Sequence, residues 1–267
     1  MQPQIDESRC LGDGQCTRVC PMGRLAREDD GVPTIRPDVP CLNCGHCAAT
    51  CPAGALSVGQ AEVEPLPPDW RLDPRRVSRF LKGRRSIRVF RKEALPAETI
   101  AAMIGVAQYA PSGHNSQPLA WTVISGEAGV HRIADATAEW MRKSVAEGSA
   151  MATALNMPWV LRGWDAGQDV ICREAPHLVI THTPEGLPSG SHAGAIGMTY
   201  LELAAQPFGV GTCWAGFVFV GTGVSDDVHR ALGLPEGQRC AGIVMAGRPA
   251  VSYLRIPSRN QPRIRWC

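Results

Sequence analysis

From Arg75 onward, apolar residues form two kinds of pattern, which are stripes at helical spacing and short continuous runs. Between Pro96 and Tyr109, apolar residues at helical offsets predict an amphipathic helix. A second helix is predicted from Ser191 to Gln206, because the proline that follows cannot continue it. Short apolar runs bounded by glycine, proline or polar residues predict three buried strands: Ala120–Ser125 (AWTVIS), His177–Thr183 (HLVITHT) and Cys240–Ala246 (CAGIVMA).

The intervening segments complete the prediction for this part of the chain. Glu127 to Pro158 is expected to be mainly helical, and Ser225 is placed to cap a short helix that ends before Gly233. The mixture of helices and strands predicts an α+β domain over residues 75–267.

Residues 1–60 lack such patterns and are rich in Cys, Gly and Pro. They contain too few large apolar side chains to close a core without an internal staple such as an inorganic cluster. Residues 61–74 follow as a separate segment, in which the prolines between Glu62 and Pro74 (EVEPLPPDWRLDP) predict an extended, semi-rigid connector.

Composition and charge exclude some classes of partner. The chain has 267 residues, with 44% hydrophobic and 19% charged residues and a net charge of +2, so it offers no general electrostatic reason to bind nucleic acid or an anionic membrane. The first ten residues contain no apolar h-region, and the longest mostly apolar run, Trp214 to Val224, is far below the roughly 18 residues of a spanning helix. We therefore expect a cytoplasmic protein that acts on a small molecule.

Cysteine spacing is the strongest chemical signal, because seven of the eleven cysteines lie within the first 51 residues. One run with the spacing C-x2-C-x2-C-x3-C-P consists of Cys41, Cys44, Cys47, Cys51 and Pro52. An earlier run keeps the same offsets but has aspartate in place of its second cysteine, and consists of Cys10, Asp13, Cys16, Cys20 and Pro21. Such a run lets one tight loop present three thiolates to an iron–sulfur cube, while its fourth cysteine reaches elsewhere.

Two copies about thirty residues apart indicate a pseudo-twofold arrangement, in which the last cysteine of each run binds the cluster of the other run. This logic assigns one [4Fe-4S] cluster to Cys41, Cys44, Cys47 and Cys20. It assigns a second cluster to Cys10, Cys16 and Cys51, with either Asp13 or no fourth protein ligand. A carboxylate is a harder ligand than a thiolate, so the second site is expected to hold either a [4Fe-4S] cluster with one oxygen ligand or a [3Fe-4S] cluster. Zinc is the alternative, since C-x2-C pairs also bind zinc. The segment resembles bacterial-type two-cluster ferredoxins over nearly all of its length.

Two motifs in the larger domain suit a flat, phosphorylated ligand. The segment Arg84-Arg85-Ser86-Ile87-Arg88 (RRSIR) gathers guanidinium groups and a hydroxyl that suit a phosphate. Ala110–Pro118 (APSGHNSQP) is a turn-rich loop able to bring backbone N–H groups and Asn115 close to a ligand. Each motif taken alone also fits an ordinary surface segment.

The order of these motifs, followed by Gly209–Gly216 (GVGTCWAG), Gly247-Arg248-Pro249 and Arg263-Ile264-Arg265, resembles the FMN-dependent nitroreductase family from about residue 75 to the C terminus. The resemblance implies an intertwined homodimer with FMN bound between the subunits. It implies that RRSIR contacts the phosphate, ribityl and pyrimidine end of FMN, that Trp214–Gly216 passes the flavin N5 edge, and that the final R-x-R closes on the phosphate. The FMN-binding residues implied are Arg84, Arg85, Ser86, Arg88, Ser112, Gly113, Asn115, Trp214, Ala215, Gly216, Arg263 and Arg265.

Several residues are candidates for the substrate side of the flavin. His114 lies in the loop nearest the expected substrate face, so it is the candidate to orient a substrate or supply a proton, with hydrogen bonding inside its own loop as the alternative. Trp140, Trp159 and Trp164 fall in the stretch that covers the flavin in relatives and are expected either to touch substrate or to pack. The remaining cysteines have no metal spacing and are expected to be buried small residues or an unpaired terminal thiol: Cys172, Cys213, Cys240 and Cys267.

These features together predict an iron–sulfur flavoprotein oxidoreductase. The clusters would take single electrons from a low-potential donor such as a free ferredoxin, and FMN would reduce a small electron-poor acceptor: a nitroaromatic, a quinone or an activated C=C or C–halogen bond. The alternatives are a redox-sensing or electron-storage flavoprotein without a dedicated substrate, and a dehydrogenase that passes electrons outward through the clusters. No G-x-G-x-x-G motif follows a strand, so no Rossmann nicotinamide domain is indicated, although NAD(P)H bound directly over FMN stays compatible with the family.

Overall fold

The computed structural model describes residues 2–27, 31–59 and 63–267. The chain forms two compact units, of which the first comprises Met1–Asp73 together with Ser112–Ser116 and the second comprises Pro74–Pro111 and Gln117–Cys267. The second unit begins at Pro74, and the segment Ser112–Ser116, which lies in the larger domain expected from the sequence, is grouped with the first unit. The connector residues from 63 to 73 are exposed and contain no helix or strand, while residues 61 and 62 of the predicted connector lie outside the described residues.

Two similar halves make up the first unit. Its elements are β1 (Pro3–Ile5), α1 (Gln15–Val19), β2 (Leu25–Ala26), β3 (Thr34–Ile35), α2 (His46–Thr50) and β4 (Leu56–Val58). β1 pairs antiparallel with β4, and β2 pairs antiparallel with β3. Helix α2 begins 31 residues after α1, the same offset that separates Cys41 from Cys10. The repeat in the sequence is therefore a repeat in the structure.

Each short helix of the first unit follows a glycine in the left-handed region. Gly14 precedes α1 with φ 68°, and Gly45 precedes α2 with φ 72°. A residue without a Cβ adopts this conformation without steric cost, so both loops can turn sharply into a helix. The buried apolar cluster of this unit consists only of Cys16, Leu25, Ala48 and Leu56 in the described residues.

The second unit is built around one antiparallel sheet. Its helices are α3 (Pro74–Gly83), α4 (Ala97–Ala107), α5 (Glu127–Ala146), α6 (Ala150–Ala154), α7 (Met157–Asp165), α8 (Gly190–Ala205), α9 (Gly216–Val224) and α10 (Asp226–Ala231). Its strands are β5 (Ala120–Ser125), β6 (His177–Pro184), β7 (Gly211–Trp214) and β8 (Gln238–Gly247), and they lie in the order β5-β6-β8-β7. The α+β prediction is confirmed, and no helix among the described residues is long and apolar enough to cross a membrane.

The central strands β6 and β8 are buried on both faces. Along β6, Leu178 and Ile180 belong to one apolar cluster, while Val179 between them belongs to the other. Helices α4 and α8 supply Met103 and Met198 to the second of these clusters. A strand covered on both faces is apolar at nearly every position, which is why these runs are continuous rather than alternating.

The sequence predicted α4, β5, β6, α8 and β8 to within two residues at each end. The expected cap is also confirmed, because the Ser225 side chain accepts a hydrogen bond from the Val228 backbone N–H at 3.4 Å. Helices α3 and α9 and strand β7 were missed. Val77, Phe80 and Leu81 stand at helical spacing in α3 and could have identified it. Strand β7 has only four residues, and α9 contains a continuous apolar run without an amphipathic stripe.

Candidate functional site

Eight predicted ligand positions surround two cavities in the first unit. The predicted ligands that line cavity I are Cys20, Cys41, Cys44 and Cys47. The predicted ligands that line cavity II are Cys10, Asp13, Cys16 and Cys51. Each cavity is therefore lined by the first three ligand positions of one run and by the last cysteine of the other run, which is the exchange that the spacing predicts.

The elements of the first unit produce this exchange. Cys16 lies in α1 and lines cavity II, whereas Cys20, which caps the same helix at its C-terminal end, lines cavity I. Cys47 in α2 and Cys51 at its end are divided between the cavities in the opposite sense. Both capping cysteines are extended, with ψ 110° at Cys20 and 113° at Cys51, so each redirects the chain away from its own helix.

Backbone N–H groups point at several of the sulfurs. The N–H of Arg24 donates to Cys20 Sγ at 3.2 Å, and that of Ala55 donates to Cys51 Sγ at 3.3 Å. Burial acts to raise the pKa of the Cys20 thiol, but the backbone N–H groups of residues 22–25 together outweigh it and the pKa is lowered. These bonds favour the thiolate, the form of cysteine that binds a metal. Within the described ranges, no group of three or more His, Cys, Asp or Glu side chains is arranged to hold a single metal ion.

Asp13 occupies the position in cavity II that Cys44 occupies in cavity I. Its Oδ1 accepts a hydrogen bond from the Gln15 backbone N–H and its Oδ2 accepts one from Gln15 Nε2, both at 3.1 Å. A carboxylate oxygen has two lone pairs, so these bonds leave acceptor capacity for an iron. The donor set of cavity I fits a cluster bound by four thiolates. The donor set of cavity II fits a cluster bound by three thiolates, with either Asp13 or no protein ligand at the fourth position.

In the second unit, the RRSIR segment lies against the end of the sheet. The N–H of Ile87 donates to the Thr212 carbonyl of the edge strand β7 at 2.9 Å. Further along, the N–H of Arg91 donates to the carbonyl of Arg248 at 2.8 Å, just after β8. The segment therefore covers an otherwise open edge, and its backbone is fixed by the sheet.

Three arginines of this segment have different partners. Arg84 Nη1 donates to Glu202 Oε1 at 3.2 Å, and the same oxygen of this buried carboxylate accepts from Thr212 Oγ1 at 3.2 Å. Arg85 donates through Nη2 to a backbone carbonyl, while its buried Nε has no hydrogen-bond partner in the part of the chain the structure describes. Arg88 Nη1 donates to the Ser86 carbonyl at 3.4 Å. Arg84 is therefore fixed by a buried carboxylate, whereas the Nε–H of Arg85 has no acceptor among the described residues.

The segment Ser112–Ser116 belongs to the first unit, and its middle forms a single 3₁₀ turn. Asn115 Nδ2 donates to the Asn43 carbonyl at 2.9 Å and to the Leu42 carbonyl at 3.4 Å, in the loop between two cysteines of cavity I. His114 is exposed and has φ 54°. No sequence signal linked Asn115 to this loop, and the expected contacts of Ser112, Gly113 and Asn115 with a flavin stay predictions.

Residues Trp214–Gly216 lead from β7 into α9. The Ala215 N–H donates to the Ile243 carbonyl at 3.0 Å, which fixes the turn to the sheet. At Gly216, no atom lies within 4 Å of the place a Cβ would take, so the backbone at the start of α9 is open on that side. Arg263 and Arg265 are exposed in the final segment, which has no helix or strand.

The other candidates separate by burial. Trp140 is 7% exposed and packs in the core, Trp164 stacks on His131 with ring centroids 5.1 Å apart, and Trp159 is 51% exposed. The cysteines outside the runs match expectation, since Cys172 and Cys213 are buried, Cys240 is half-buried and Cys267 is exposed. Burial raises the pKa of Cys240 to about 11, so its thiol stays protonated.

Glu202 pairs with a candidate site residue, Arg84, and the sequence interpretation missed it. It lies in the apolar helix α8, four residues after the fully buried Met198. A lone carboxylate on the buried face of a helix implies a buried partner, since charges are seldom buried unless they are paired. A single carboxylate among the apolar residues of α8 was therefore the sequence signal that could have identified Glu202.

Fold and site define a class of protein: an iron–sulfur unit with two cysteine-lined cavities, followed by an α+β unit whose arginine-rich segment borders an antiparallel sheet. The sequence model of the Nitroreductase family matches residues 81–248, and that of the 4Fe-4S dicluster domain matches residues 2–52. The chain belongs to the nitroreductase family and carries an N-terminal 4Fe-4S dicluster domain, which makes it an oxidoreductase.

Known proteins agree with this assignment. The chain is 27% identical over 209 residues to the nitroreductase NfnB of Mycolicibacterium smegmatis, covering 67% of this chain and 87% of that protein. A nitroreductase with bound FMN from Bacteroides fragilis superposes with a TM-score of 0.58 at 21% identity, covering 72% of this chain and 98% of the other. An iodotyrosine deiodinase bound to FMN and 3-iodo-L-tyrosine gives a TM-score of 0.54 at 23% identity, covering 71% and 98%. These two structures establish the fold.

Proposed function

We propose that this protein passes single electrons through two iron–sulfur clusters to FMN and then reduces a small electron-poor molecule by two electrons. The observation that carries the proposal is the division of the candidate ligands between cavities I and II, on a chain whose larger part belongs to the nitroreductase family. Bound clusters would exchange electrons one at a time, whereas bound FMN accepts them singly and delivers them in pairs.

Each cavity is assigned a cluster by its donors. Cavity I takes a [4Fe-4S] cluster on Cys20, Cys41, Cys44 and Cys47. Cavity II takes a cluster on Cys10, Cys16 and Cys51, which is either a [4Fe-4S] cluster with Asp13 as oxygen ligand or a [3Fe-4S] cluster. Iron and sulfide analysis with EPR on anaerobically isolated protein tests the assignment, and Asp13→Cys is expected to convert cavity II to an all-thiolate cube. Two such cubes already present in the wild type, or zinc in place of iron, would contradict it.

FMN is the cofactor we assign to the second unit, because both structural neighbours contain it. The unpartnered Nε of Arg85 suits a phosphate oxygen, and the open backbone at Gly216 offers N–H groups at a helix start. We assign FMN binding to Arg84, Arg85, Ser86, Arg88, Ser112, Gly113, Asn115, Trp214, Ala215, Gly216, Arg263 and Arg265.

The phosphate contact can be tested with two ligands. Arg85→Gln removes a charge-assisted hydrogen bond of about 1.5–3 kcal/mol, so FMN is expected to bind roughly tenfold or more weakly. Riboflavin lacks the phosphate and should bind the variant and the wild type alike. Arg239→Gln removes an exposed arginine paired with Glu185 and serves as the control. Equal loss of both ligands in Arg85→Gln would argue for a general folding defect.

A homodimer completes the proposal, as the family resemblance implies. Helix α3 buries none of its residues, although Phe80 and Leu81 are apolar. The final segment leaves Leu254 91% exposed and Trp266 87% exposed. Exposed apolar surface of this kind is typical of an interaction site. Light scattering at micromolar concentration is expected to give twice the monomer mass of 28.7 kDa.

Electron relay is tested by anaerobic photoreduction. Cluster reduction should be followed by bleaching of FMN, and the reduced FMN should then be reoxidised by a panel of nitroaromatics, quinones and halogenated phenols. Cys44→Ser, which alters cavity I, should slow the bleaching, while Cys267→Ser, which alters an exposed thiol, should not. Clusters that reduce without bleaching FMN would defeat the relay. Reoxidation only by oxygen and dyes would favour redox sensing.

The identity of the electron acceptor is a separate question. The names of the relatives include a nitroreductase and a deiodinase, which supports including nitro and C–halogen compounds in the panel. We assign His114 to orienting the acceptor or donating a proton. His114→Gln should change the pH profile of acceptor reduction while leaving the photoreduction of FMN intact.

A further inference from the structure

Arg24 is a buried cation in the wall of cavity I. Its side chain is 4% exposed, and it lines the cavity together with the four cysteines assigned there. Nη1 donates to the backbone carbonyls of Arg36 and Val39, the latter at 2.6 Å. Nε is buried and has no hydrogen-bond partner among the described residues. The guanidinium is therefore held in place but only partly satisfied.

The charge of Arg24 has no acidic partner in the part of the chain that the structure describes. None of the ion pairs formed by the described residues includes it. Burying an uncompensated charge is costly, so a buried arginine implies negative charge nearby. Among the described residues that line cavity I, only the cysteine thiolates can supply this charge. An iron–sulfur cluster held by four thiolates carries a net negative charge that grows on reduction.

The second half of the unit provides a comparison within the same protein. Ala55 lies 31 residues after Arg24 and lines cavity II in the equivalent place. The backbone N–H groups of both residues donate to a capping cysteine, at 3.2 Å for Arg24 and 3.3 Å for Ala55. The hydrogen bond to sulfur is thus common to both halves, and the buried cation is present in only one.

We infer that Arg24 sets the reduction potential of the cluster in cavity I by stabilising its reduced, more negative state. This inference rests on the proposed cluster ligands. A fixed charge in a wall of low polarity acts more strongly than the same charge in water, and net charge is one of the factors that tune such potentials. The cluster of cavity I should consequently hold an electron more readily than it would with alanine at this position.

The test is an EPR-monitored redox titration of the full-length protein. Arg24→Gln keeps a hydrogen-bonding side chain without charge, and Arg24→Lys keeps the charge. We expect Arg24→Gln to lower the reduction equilibrium constant of the cavity I cluster at least tenfold, about 59 mV for one electron, with Arg24→Lys near the wild type. The cavity I signal is the one that does not change in Asp13→Cys. Arg36→Gln removes an exposed charge from the same unit and should have little effect.

Each result of this comparison counts for or against the inference. Equal potentials in Arg24→Gln and the wild type would overturn it, as would equal shifts in the Gln and Lys variants, because bracing of the loop would then be the cause. If Arg24→Gln does not retain iron in cavity I, retention by Arg24→Lys supports the need for charge, and loss from both variants overturns the inference. A wild type without iron after anaerobic isolation would refute the proposed function itself.

Discussion

The first and second units bury apolar side chains on different scales. Among the described residues, the first buries only Cys16, Leu25, Ala48 and Leu56 in its cluster. The second buries both faces of its central strands under helices. The second unit can therefore fold by hydrophobic packing, whereas we expect the first to depend on bonds from its cysteines to a bound group. We therefore expect removal of metal to destabilise mainly the first unit. A large-to-small substitution in the apolar core should destabilise mainly the second unit.

The largest expected effect is the removal of iron. Anaerobic chelation of the clusters should unfold residues 2–59, because too little apolar surface remains to offset the chain entropy. Hydrogen exchange measured by mass spectrometry should show rapid exchange in that region and continued protection of β6 and β8. Protein treated in the same way with iron-saturated chelator is the control. Continued protection of residues 2–59 in iron-depleted protein would remove the contrast between the units.

Creating a cavity in the core of the second unit should destabilise that unit and leave the iron content of the first unit unchanged. Ile243 in β8 is fully buried, so Ile243→Ala should lower the free energy of unfolding of the second unit by about 2–5 kcal/mol. Urea denaturation followed by tryptophan fluorescence measures it, with the exposed Val224→Ala as the control at about 0.5 kcal/mol or less. Iron content should be unchanged in both variants. Loss of iron in Ile243→Ala would mean that the units do not fold independently.

A smaller effect is expected at the buried ion pair. Glu202→Ala removes the carboxylate that accepts from Arg84 and Thr212, and should cost about 1–3 kcal/mol. Thermal unfolding of the second unit is the measurement, and Glu185→Ala, which breaks an exposed pair with Arg239, is the matched control. An effect no larger than that of Glu185→Ala would mean that the ion pair does not fix the RRSIR segment.

The smallest expected effect is a dependence of the second unit on pH. His177 Nε2 accepts from the Leu95 N–H at 2.7 Å, and burial lowers the pKa of His177 below its ordinary 6.5. The unfolded chain then binds a proton at a pH where the folded chain does not. The contribution of uncharged His177 to the free energy of unfolding is therefore present above pH 6.5, and it is lost as the pH falls below that value.

Urea midpoints at about pH 7.5 and about pH 5.5 would measure this loss. His177→Gln should reduce the difference between the two midpoints, and the exposed His192→Gln should leave it unchanged. If His177→Gln keeps the full difference, other groups cause it.

The local patterns were sufficient to predict how the cysteines are grouped around the two cavities and most of the sheet. The spacing of the two runs is dictated by the cluster they bind, so the division of ligands between cavities could be inferred without coordinates. Strands β6 and β8 were recognisable because their burial on both faces leaves a continuous apolar run. In each case the cause acts over a few consecutive residues.

Long-range contacts were beyond such reasoning. Arg84 meets Glu202 across 118 positions, and Asn115 meets Asn43 across 72. Nothing in either local sequence identifies the partner, because the fold of the intervening chain creates the contact. For the same reason, β7 could be recognised only from its position beside β8, since four residues rich in small side chains carry no periodicity.

The exchange of Cys20 and Cys51 between the halves of the first unit makes neither half self-sufficient. A truncation, or a proteolytic cut that released one half, would take a candidate ligand from each cavity and so affect both cavities together. An ancestral polypeptide with a single repeat would have needed a second copy of itself to complete either set of candidate ligands. Joining the copies in one gene would then have made a transient association permanent.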